Sequence, residues 1–233
     1  MIRVALGAAA LFASSAAAAP QQVGLHPALD RLAREQRFSG AIVVRDSGGV
    51  RFARGYGMAD PFTGRPFTPD TPVDSGSLAK PVTAAAVLIL AQEGRLDLDS
   101  PVRRYLPAYP HPATTVRHLL AHSAGLAMDE TEGGITGKTN EALLAETRAR
   151  KPLFEPGSGF RYCNLCLVAL AILIERVSGS HYLDFARSRV QLSPGVRLRP
   201  RRLSDWAGRA IGYGRTADGK LERADSYEDE RFY

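Results

Sequence analysis

Two runs of apolar residues dominate the hydrophobic and polar pattern of the chain. The run at 81–92, PVTAAAVLILAQ, is apolar on nearly every face of a helix, and the run at 164–177, NLCLVALAILIERV, has little more polar surface. Helices of this kind are buried on all sides in a protein core. The second run is also too short to span a bilayer. We therefore predict two core helices, the first ended by Gly94 and the second by Gly179.

Weaker patterns predict strands at both ends of the chain. Residues 40–45 and 50–55 are apolar stretches on either side of a Ser-Gly-Gly turn, which predicts a hairpin. The Gly- and Pro-containing stretch 61–72 is predicted to be a loop. A second, weaker hairpin is predicted to pair 211–214 with 221–223 around an Ala-Asp-Gly turn.

Three further helices are predicted from shorter segments. Residues 115–120 form a short helical run, and residues 141–150 form an amphipathic and more exposed one. A third helix is predicted at about 181–190, with Ser180 as its N-cap.

The N-terminus has the layout of a secretory signal peptide. One basic residue, Arg3, precedes a short apolar stretch that ends in small residues, and the A-x-A rule predicts cleavage after Ala18. The apolar stretch is too short and too rich in Ala and Ser for a good membrane anchor. We expect a signal peptide at 1–18, a mature domain at 19–233, and export, in a bacterium to the periplasm.

The net charge of +6 does not change this interpretation. Most of the basic residues are dispersed, and an exported protein seldom meets nucleic acid. We therefore expect no nucleic-acid partner and interpret the densest basic cluster as a solvated loop. That cluster comprises Arg197, Arg199, Arg201 and Arg202.

The two cysteines, Cys163 and Cys166, form a C-x-x-C pair at the start of the second core helix. No second Cys/His pair completes a zinc site. A disulfide within one helical turn is geometrically awkward, so we predict two buried thiols and keep the disulfide as the alternative.

The stretch DSGSLAKPVTA, residues 74–84, places a serine and a lysine where the first core helix begins. Ser77 and Lys80 are three residues apart and share one helix face. The helix N-terminus and the apolar surroundings favour the neutral amine of Lys80, which can accept the Ser77 hydroxyl proton. The Ser77 N–H can help to hold an oxyanion. Pro81 places the helix start close to Ser77, because proline is tolerated only in the first turn.

A second pair, Tyr162 and Asn164, flanks one residue at the start of the second core helix. If both buried helices begin near each other, these side chains meet Ser77 and Lys80. The Tyr162 phenol can then relay protons, and the Asn164 amide can hold the lysine and a substrate carbonyl. The alternative is that both residues only pack and cap the helix.

In this order, these motifs resemble one family, the serine β-lactamase-related hydrolases. That group includes class C β-lactamases, D,D-peptidase-like enzymes and esterase-like enzymes. Residues 55–107, GYGMADPFTGRPFTPDTPVDSGSLAKPVTAAAVLILAQEGRLDLDSPVRRYLP, look like its N-terminal signature. TTVRHLLAHSAGL, residues 114–126, resembles its L-L-T-H-T-S-G-L segment, and FEPGSGFRYCNLCLVALAILIERVSG, residues 154–179, resembles its F-x-P-G…Y-S-N helix start.

The resemblance implies an α+β fold of the β-lactamase/penicillin-binding-protein type. In this fold an antiparallel sheet is flanked by helices, with an all-helical subdomain. It implies that Ser77 is the acylated nucleophile and Lys80 its proton acceptor. It further implies that Tyr162 is the second acid/base and Asn164 the orienting amide. Cys163 departs from the serine usual between Tyr and Asn.

A third motif of the family, K-T-G or a His-x-Gly or Trp-x-Gly variant, has no clear match after Asn164. The one Trp-x-Gly, residues 206–208, follows Asn164 too closely, and Lys138-Thr139-Asn140 precedes the Y-x-N pair. We therefore expect the family's C-terminal strands to be missing and the chain to be truncated. Loss of that strand removes an oxyanion donor and is expected to slow catalysis by orders of magnitude.

Two rival interpretations remain. Ala121-His122-Ser123-Ala124-Gly125 looks like the nucleophile elbow of an α/β-hydrolase lipase, although a helical pattern precedes it where a strand is needed. The structural alternative is that His122 and Ser123 only brace a turn. The second rival is a non-catalytic or slowly acylating remnant that binds penicillin or peptidoglycan.

The main prediction is an exported serine hydrolase that forms an acyl-enzyme on Ser77 and hydrolyses an ester, amide or β-lactam. A simple ester needs the least help at the oxyanion. The expected partner is a small-molecule or peptidoglycan-like substrate, without stable membrane insertion. No metal or organic cofactor is implied, because the chain has no acidic or His cluster and no phosphate-binding glycine loop.

Overall fold

A computed structural model describes residues 25–35, 38–126, 139–146, 148, 151–192, 196, 198–199 and 207–224. The predicted signal peptide at 1–18 lies outside these residues. The chain divides into two compact units, Met1–Pro69 and Asp70–Tyr233. The division into a signal peptide and one mature domain stays a prediction.

The first unit contains one helix and two small antiparallel sheets in its described part. The hairpin predicted at 40–55 is confirmed as β1 paired with β2. The predicted loop at 61–72 contains a two-residue strand, β4, because the turn before it folds back on β3. The elements are α1 (Leu25–Glu35), β1 (Gly40–Asp46), β2 (Gly49–Tyr56), β3 (Met58–Asp60) and β4 (Arg65–Pro66).

Polar contacts attach α1, which the apolar pattern did not predict, to strand β2. Asp30 accepts hydrogen bonds from the Arg54 guanidinium and from the Tyr56 hydroxyl, each at 3.0 Å. Gly55 allows the chain after β4 to approach β2, since a Cβ there would lie 2.0 Å from the carbonyl oxygen of Phe67.

The second unit is mainly helical in the residues described. Both predicted core helices and the short helix after Thr115 are confirmed. The C-terminal hairpin is confirmed as β5 and β6, which pair around a turn with Gly219 at a φ of 82°. The elements are α2 (Lys80–Gln92), α3 (Val116–Leu120), α4 (Asn140–Glu146), α5 (Asn164–Ser178), α6 (Tyr182–Arg189), β5 (Tyr213–Arg215) and β6 (Leu221–Arg223).

Helix α5 is the centre of this unit. Its ten consecutive residues 165–174 are all buried, as expected for a helix that is apolar on every face. It contacts α2, α3, α4 and α6, so four helices cover it. Gly179 ends it with a φ of 72°, the left-handed conformation that glycine adopts without a steric penalty.

The predicted Ser180 cap of the last helix is wrong. Helix α6 has His181 at its N-cap, with no side-chain cap hydrogen bond. The N–H of Tyr182 instead donates to the Glu175 carboxylate at 2.9 Å. A carboxylate from the end of α5 therefore satisfies the helix start that Ser180 was predicted to cap.

By length and apolar composition, no single described helix could cross a membrane, whereas α5 and α6 pass that test only as a pair bent by 76°.

The prediction of two free thiols is also wrong, because Cys163 and Cys166 form a disulfide. The geometric objection assumed that both residues are helical. Cys163 is instead the N-cap of α5, with an extended backbone at φ −141° and ψ 101°. This places the two Cα atoms 5.3 Å apart, within the range that a disulfide spans.

The disulfide predicts a simple alkylation pattern. In denaturant without reductant, iodoacetamide is expected to leave the mass of the chain unchanged, and after reduction both cysteines should be alkylated. Intact-protein mass spectrometry measures this. A Cys163→Ser variant is the control, because its Cys166 should react without reductant. Alkylation of the unreduced wild type would contradict the bridge.

Candidate active site

Ser77 lies on a 3-10 turn, Gly76–Ala79, that leads into α2. Asp74 fixes the start of this turn, since its Oδ1 accepts a hydrogen bond from the Gly76 N–H at 2.8 Å. The predicted position of Ser77 is the first turn of the α-helix, whereas the structure places it one 3-10 turn earlier, because α2 begins at Lys80. Ser77 is exposed and can be reached by a substrate.

Two side chains converge on the Ser77 hydroxyl. The Lys80 ammonium donates to Ser77 Oγ at 3.1 Å, and the Tyr162 hydroxyl lies 2.6 Å from the same oxygen. Lys80 Nζ is also 5.0 Å from the centroid of the Tyr162 ring. The structure therefore brings together three of the four predicted residues. Oγ touches two groups that can take its proton once they are deprotonated.

Asn164, the fourth predicted residue, is the first residue of α5. Its Oδ1 is buried and has no hydrogen-bond partner within the described part of the chain. The predicted contact between this amide and Lys80 is not formed in the structure. A buried carbonyl oxygen without a partner is costly, so Asn164 retains an acceptor for a donor supplied by substrate or lysine.

His122 also belongs to the site, although the sequence predicted only that it braces a turn. Its imidazole stacks on Tyr162 with 4.9 Å between ring centroids and 24° between planes. Its Nδ1 accepts a hydrogen bond from the Cys163 N–H at 3.1 Å. Its carbonyl oxygen accepts from the Arg161 N–H at 3.0 Å. The only signal in the sequence was its place in the TTVRHLLAHSAGL segment.

The loop around His122 is joined to the segment before Tyr162 by backbone hydrogen bonds. Ser123 O accepts from the Gly157 N–H at 2.8 Å, and Gly125 O accepts from the Leu153 N–H at 2.9 Å. Gly125 is required at this junction, because it has a φ of 69° and a Cβ would lie 2.3 Å from the Phe154 carbonyl oxygen. The predicted turn-bracing role of this loop is confirmed.

The same geometry excludes the interpretation of Ser123 as a lipase nucleophile. Helix α3 precedes it, whereas a nucleophile elbow follows a strand. Its hydroxyl points to the His118 carbonyl oxygen at 3.5 Å, with no histidine side chain among its hydrogen-bond partners in the described residues.

The segment at 209–210 packs against the stretch that precedes the Ser77 turn. The Ala210 N–H donates to the Pro72 carbonyl oxygen at 2.8 Å. The Arg209 side chain, only 2% exposed, places its guanidinium 3.6 Å from the Asp74 carboxylate. Asp74 therefore connects a buried cation to the N–H of Gly76. Trp206, of the Trp-x-Gly sequence weighed as a third motif, lies outside the described residues.

One oxyanion donor is available at the nucleophile. None of the hydrogen bonds among the described residues uses the Ser77 N–H, whereas the N–H groups of Gly76 and Leu78 are both bonded. A free N–H next to the reacting oxygen can stabilise a developing oxyanion, as predicted from the sequence. The described residues offer no group of three or more His, Cys, Asp or Glu side chains that could hold a metal ion.

Burial and charge favour the neutral form of the His122 imidazole. Its pKa is lowered from the usual 6.5, first by desolvation and then by the positive charge of Lys80. The neutral ring is consistent with its hydrogen bond, because Nδ1 can accept from the Cys163 N–H only when it carries no proton.

This geometry has counterparts in known proteins. The sequence profile of the family described as Beta-lactamase matches residues 25–197, about three quarters of the chain. The chain belongs to the β-lactamase family. The resemblance predicted from the S-x-x-K and Y-x-N motifs is thereby confirmed. All four predicted site residues, Ser77, Lys80, Tyr162 and Asn164, lie inside the match.

Two relatives with similar sequences are named for different activities. The chain is 28% identical over 200 residues to penicillin-binding protein 4* of Bacillus subtilis, covering 78% of this chain and 44% of that protein. It is 36% identical over 179 residues to esterase EstB of Burkholderia gladioli, covering 66% of this chain and 45% of that protein. The chain thus spans less than half the length of these relatives.

A solved structure confirms the predicted fold class. The octameric penicillin-binding protein homologue from Pyrococcus abyssi superposes with a TM-score of 0.70 at 27% identity, covering 88% of this chain and 50% of that one. The β-lactamase/penicillin-binding-protein-like α+β fold is therefore shown. The family supports a hydrolase in general terms.

The Asp74–Arg209 pair predicts a specific loss of stability. Asp74→Asn keeps an acceptor for the Gly76 N–H but removes the charge next to a buried guanidinium. We expect the free energy of unfolding to fall by about 1 to 3 kcal/mol, measured by urea denaturation. Asp99→Asn is the matched control. It removes the same charge from the exposed Asp99–Arg117 pair and should cost less. Equal losses would contradict the role of Asp74 as the charged partner of the buried Arg209 guanidinium.

The pKa values of two histidines predict the pH dependence of stability. Burial lowers the pKa of both His111 and His122 below 6.5 in the folded chain. Just below 6.5 the unfolded chain therefore binds more protons at these histidines than the folded chain, so their contribution to stability is complete above 6.5 and is lost as the pH decreases below it. We expect a lower urea midpoint at about pH 5 than at about pH 7.5.

His122→Asn is the control for this pH dependence, because it removes one of the two titrating groups. Its urea midpoint should fall less over the same interval. Carboxylates such as Asp99 have a pKa that is lowered from the usual 3.8, so their protonation affects stability only at lower pH. An identical fall in wild type and variant would exclude His122 as a contributor.

Proposed function

We propose that this chain is an exported serine hydrolase that forms an acyl-enzyme on Ser77 and hydrolyses an ester, amide or β-lactam. The observation that carries the proposal is the double contact of Ser77 Oγ with Lys80 Nζ at 3.1 Å and with the Tyr162 hydroxyl at 2.6 Å. A serine hydroxyl is a weak nucleophile until a neighbouring base takes its proton. Here two groups touch it that can act as bases once they are deprotonated.

The first half of the reaction forms the acyl-enzyme. Ser77 Oγ attacks the carbonyl carbon while its proton passes to the neutral Lys80 amine or to a Tyr162 phenolate. The carbonyl becomes an oxyanion, which the Ser77 N–H stabilises. When the carbonyl re-forms, the bond to the leaving group breaks, and that group receives a proton from Tyr162 or Lys80.

The second half of the reaction hydrolyses the acyl-enzyme and regenerates the free enzyme. A water molecule gives a proton to the same pair and attacks the acyl carbon, and the Ser77 oxygen leaves with a proton restored to it. The Asn164 amide lies at the start of α5, beside Tyr162 in sequence, and its buried Oδ1 is an acceptor for a substrate N–H or for Lys80. An ester is the substrate class that needs the least stabilisation of the oxyanion.

A slowly acylating penicillin- or peptidoglycan-binding protein is the second candidate. The observation that favours it is that Ser77 contributes a single oxyanion donor among the described residues. Acylation can proceed with one donor at reduced rate, whereas release of the acyl group needs the same stabilisation again. The similarity to penicillin-binding protein 4* agrees with this candidate, and the similarity to esterase EstB agrees with the first.

The predicted signal peptide supports export as part of the proposal. A periplasmic location would place the site next to peptidoglycan. It would also agree with the disulfide, since disulfides persist in oxidising compartments. We propose no nucleic-acid partner and no stable membrane insertion. Detection of the mature chain in a periplasmic fraction, with its N-terminus at about residue 19, tests this part.

The predicted chemistry is tested by intact-protein mass after incubation of the mature chain with a reactive penicillin and, separately, with an activated ester. We expect an adduct on the wild type that is absent from Ser77→Ala, because the acyl group is held on that oxygen. Ser123→Ala is the matched control and should label like the wild type. Labelling that survives Ser77→Ala but disappears in Ser123→Ala would overturn the assignment.

The decay of the adduct separates the two candidate functions. A hydrolase loses the mass increase with time and releases product repeatedly, whereas a slowly acylating binder labels once and stops. A chain shown to be folded by circular dichroism that gives neither an adduct nor released product would contradict both candidates for this chain.

A further inference from the structure

We propose that His122 is a positioning residue for Tyr162, holding the phenol so that its hydroxyl meets Ser77 Oγ. The inference rests on the proposed function of Ser77 and Tyr162 and adds a residue from a different loop. The position of residue 122 imposes three requirements, and histidine meets all three.

The first requirement is a flat ring. Tyr162 is 50% exposed, so the protein core alone does not fix the direction of its side chain. The His122 imidazole covers part of the phenol ring at 4.9 Å, and the Phe160 ring meets His122 edge-on at 6.1 Å. Stacking of this kind stabilises an aromatic pair beyond simple burial and so favours one ring orientation.

The second requirement is an acceptor for the backbone next to Tyr162. The Cys163 N–H donates to His122 Nδ1 at 3.1 Å, and the Arg161 N–H donates to the His122 carbonyl oxygen at 3.0 Å. The residues on both sides of Tyr162 are therefore bonded to a single residue. This bonding limits rotation of the backbone that carries the phenol, just before α5 begins.

The third requirement is an unusual backbone conformation. His122 has a φ of 55° and is the only non-glycine residue with a positive φ in the described part of the chain. His, Asn and Asp tolerate this region better than other side chains. Asn also supplies an acceptor but no ring, and Phe supplies a ring but neither the acceptor nor the tolerance. Histidine combines all three properties.

His122 acts through Tyr162 rather than on the substrate bond. Its Nδ1 is already occupied by the Cys163 N–H, and the hydrogen bonds recorded at Ser77 Oγ come from Lys80 and Tyr162. Its neutral state also avoids a second positive charge beside Lys80. A misplaced acid/base group slows a reaction even when it is chemically intact.

The first arm of the test measures the rate of acylation of Ser77 by the activated ester. His122→Asn keeps the acceptor and the backbone tolerance but loses the ring, and we expect it to melt near the wild type yet acylate about tenfold more slowly. His122→Ala loses all three properties and should acylate about a hundredfold more slowly. Slower acylation by His122→Asn at an unchanged melting temperature is a readout that a merely structural role does not give.

His118→Asn is the matched control. His118 Nδ1 accepts a hydrogen bond from the Thr115 N–H at 3.3 Å, the same type of bond in the same loop region, within the cap of α3. This variant is expected to lower the melting temperature and to leave acylation within about twofold of wild type. An equal slowing by His118→Asn and His122→Asn would overturn the inference.

The second arm tests whether the effect passes through the Tyr162 hydroxyl. Tyr162→Phe keeps the ring and removes the hydroxyl. In that background His122→Asn should cause no further loss, because the group it positions is gone. Additive losses would mean that His122 acts elsewhere and would overturn the proposal.

The third arm does not depend on catalysis. With ring-labelled tyrosine, the Tyr162 NMR signal is identified by its disappearance in Tyr162→Phe. We expect it to move in His122→Asn and to stay in place in His118→Asn. An unmoved signal overturns the inference about His122 whatever the acylation result. A moved signal together with no acylation of the folded wild type supports the His122 contact and contradicts the proposed function instead.

Discussion

The hydrogen bond between Ser77 Oγ and Tyr162 OH joins the starts of two helices that are 85 residues apart in sequence. Local burial fixes neither side chain, because Tyr162 is 50% exposed and Ser77 lies on an exposed turn. The bond exists because the protein places the N-terminal ends of α2 and α5 side by side. The reactivity proposed for Ser77 depends on that placement, since it brings the phenol and the Lys80 amine to one oxygen.

The helix core provides the placement. Helix α5 is buried over ten residues and contacts α2, so burial fixes both its position and the direction in which its N-terminus points. A fully buried bond between Thr83 and Tyr182, at 2.7 Å, links α2 to α6 and makes the relation of these helices more specific than apolar packing alone. The polar groups of the site lie at the starts of these helices. The 3-10 turn that carries Ser77 precedes α2, and the disulfide-linked N-cap Cys163 precedes α5.

The sequence predicted the parts that depend on local rules. Apolar runs and terminal glycines located α2 and α5 within one or two residues, and the three-residue spacing of Ser77 and Lys80 predicted their contact. The predictions that failed depend on geometry at element ends. The Cys163–Cys166 bridge required an extended residue before α5, and the Ser180 cap was replaced by a carboxylate from α5. His122 was undervalued because its partners lie about 40 residues away and its role follows from a positive φ.

Activation of the nucleophile and release of the acyl group make different demands on such a site. Activation needs a base at Ser77 Oγ, and the second unit supplies two candidates from its own helix starts. Release needs the oxyanion to be stabilised a second time while water attacks, and the donor for that charge among the described residues is the Ser77 N–H. The bases that contact Ser77 Oγ and the N–H that can hold the oxyanion are different groups of the site. The two steps are therefore separable by physical origin, and acylation is the step that the contacts at Ser77 address directly.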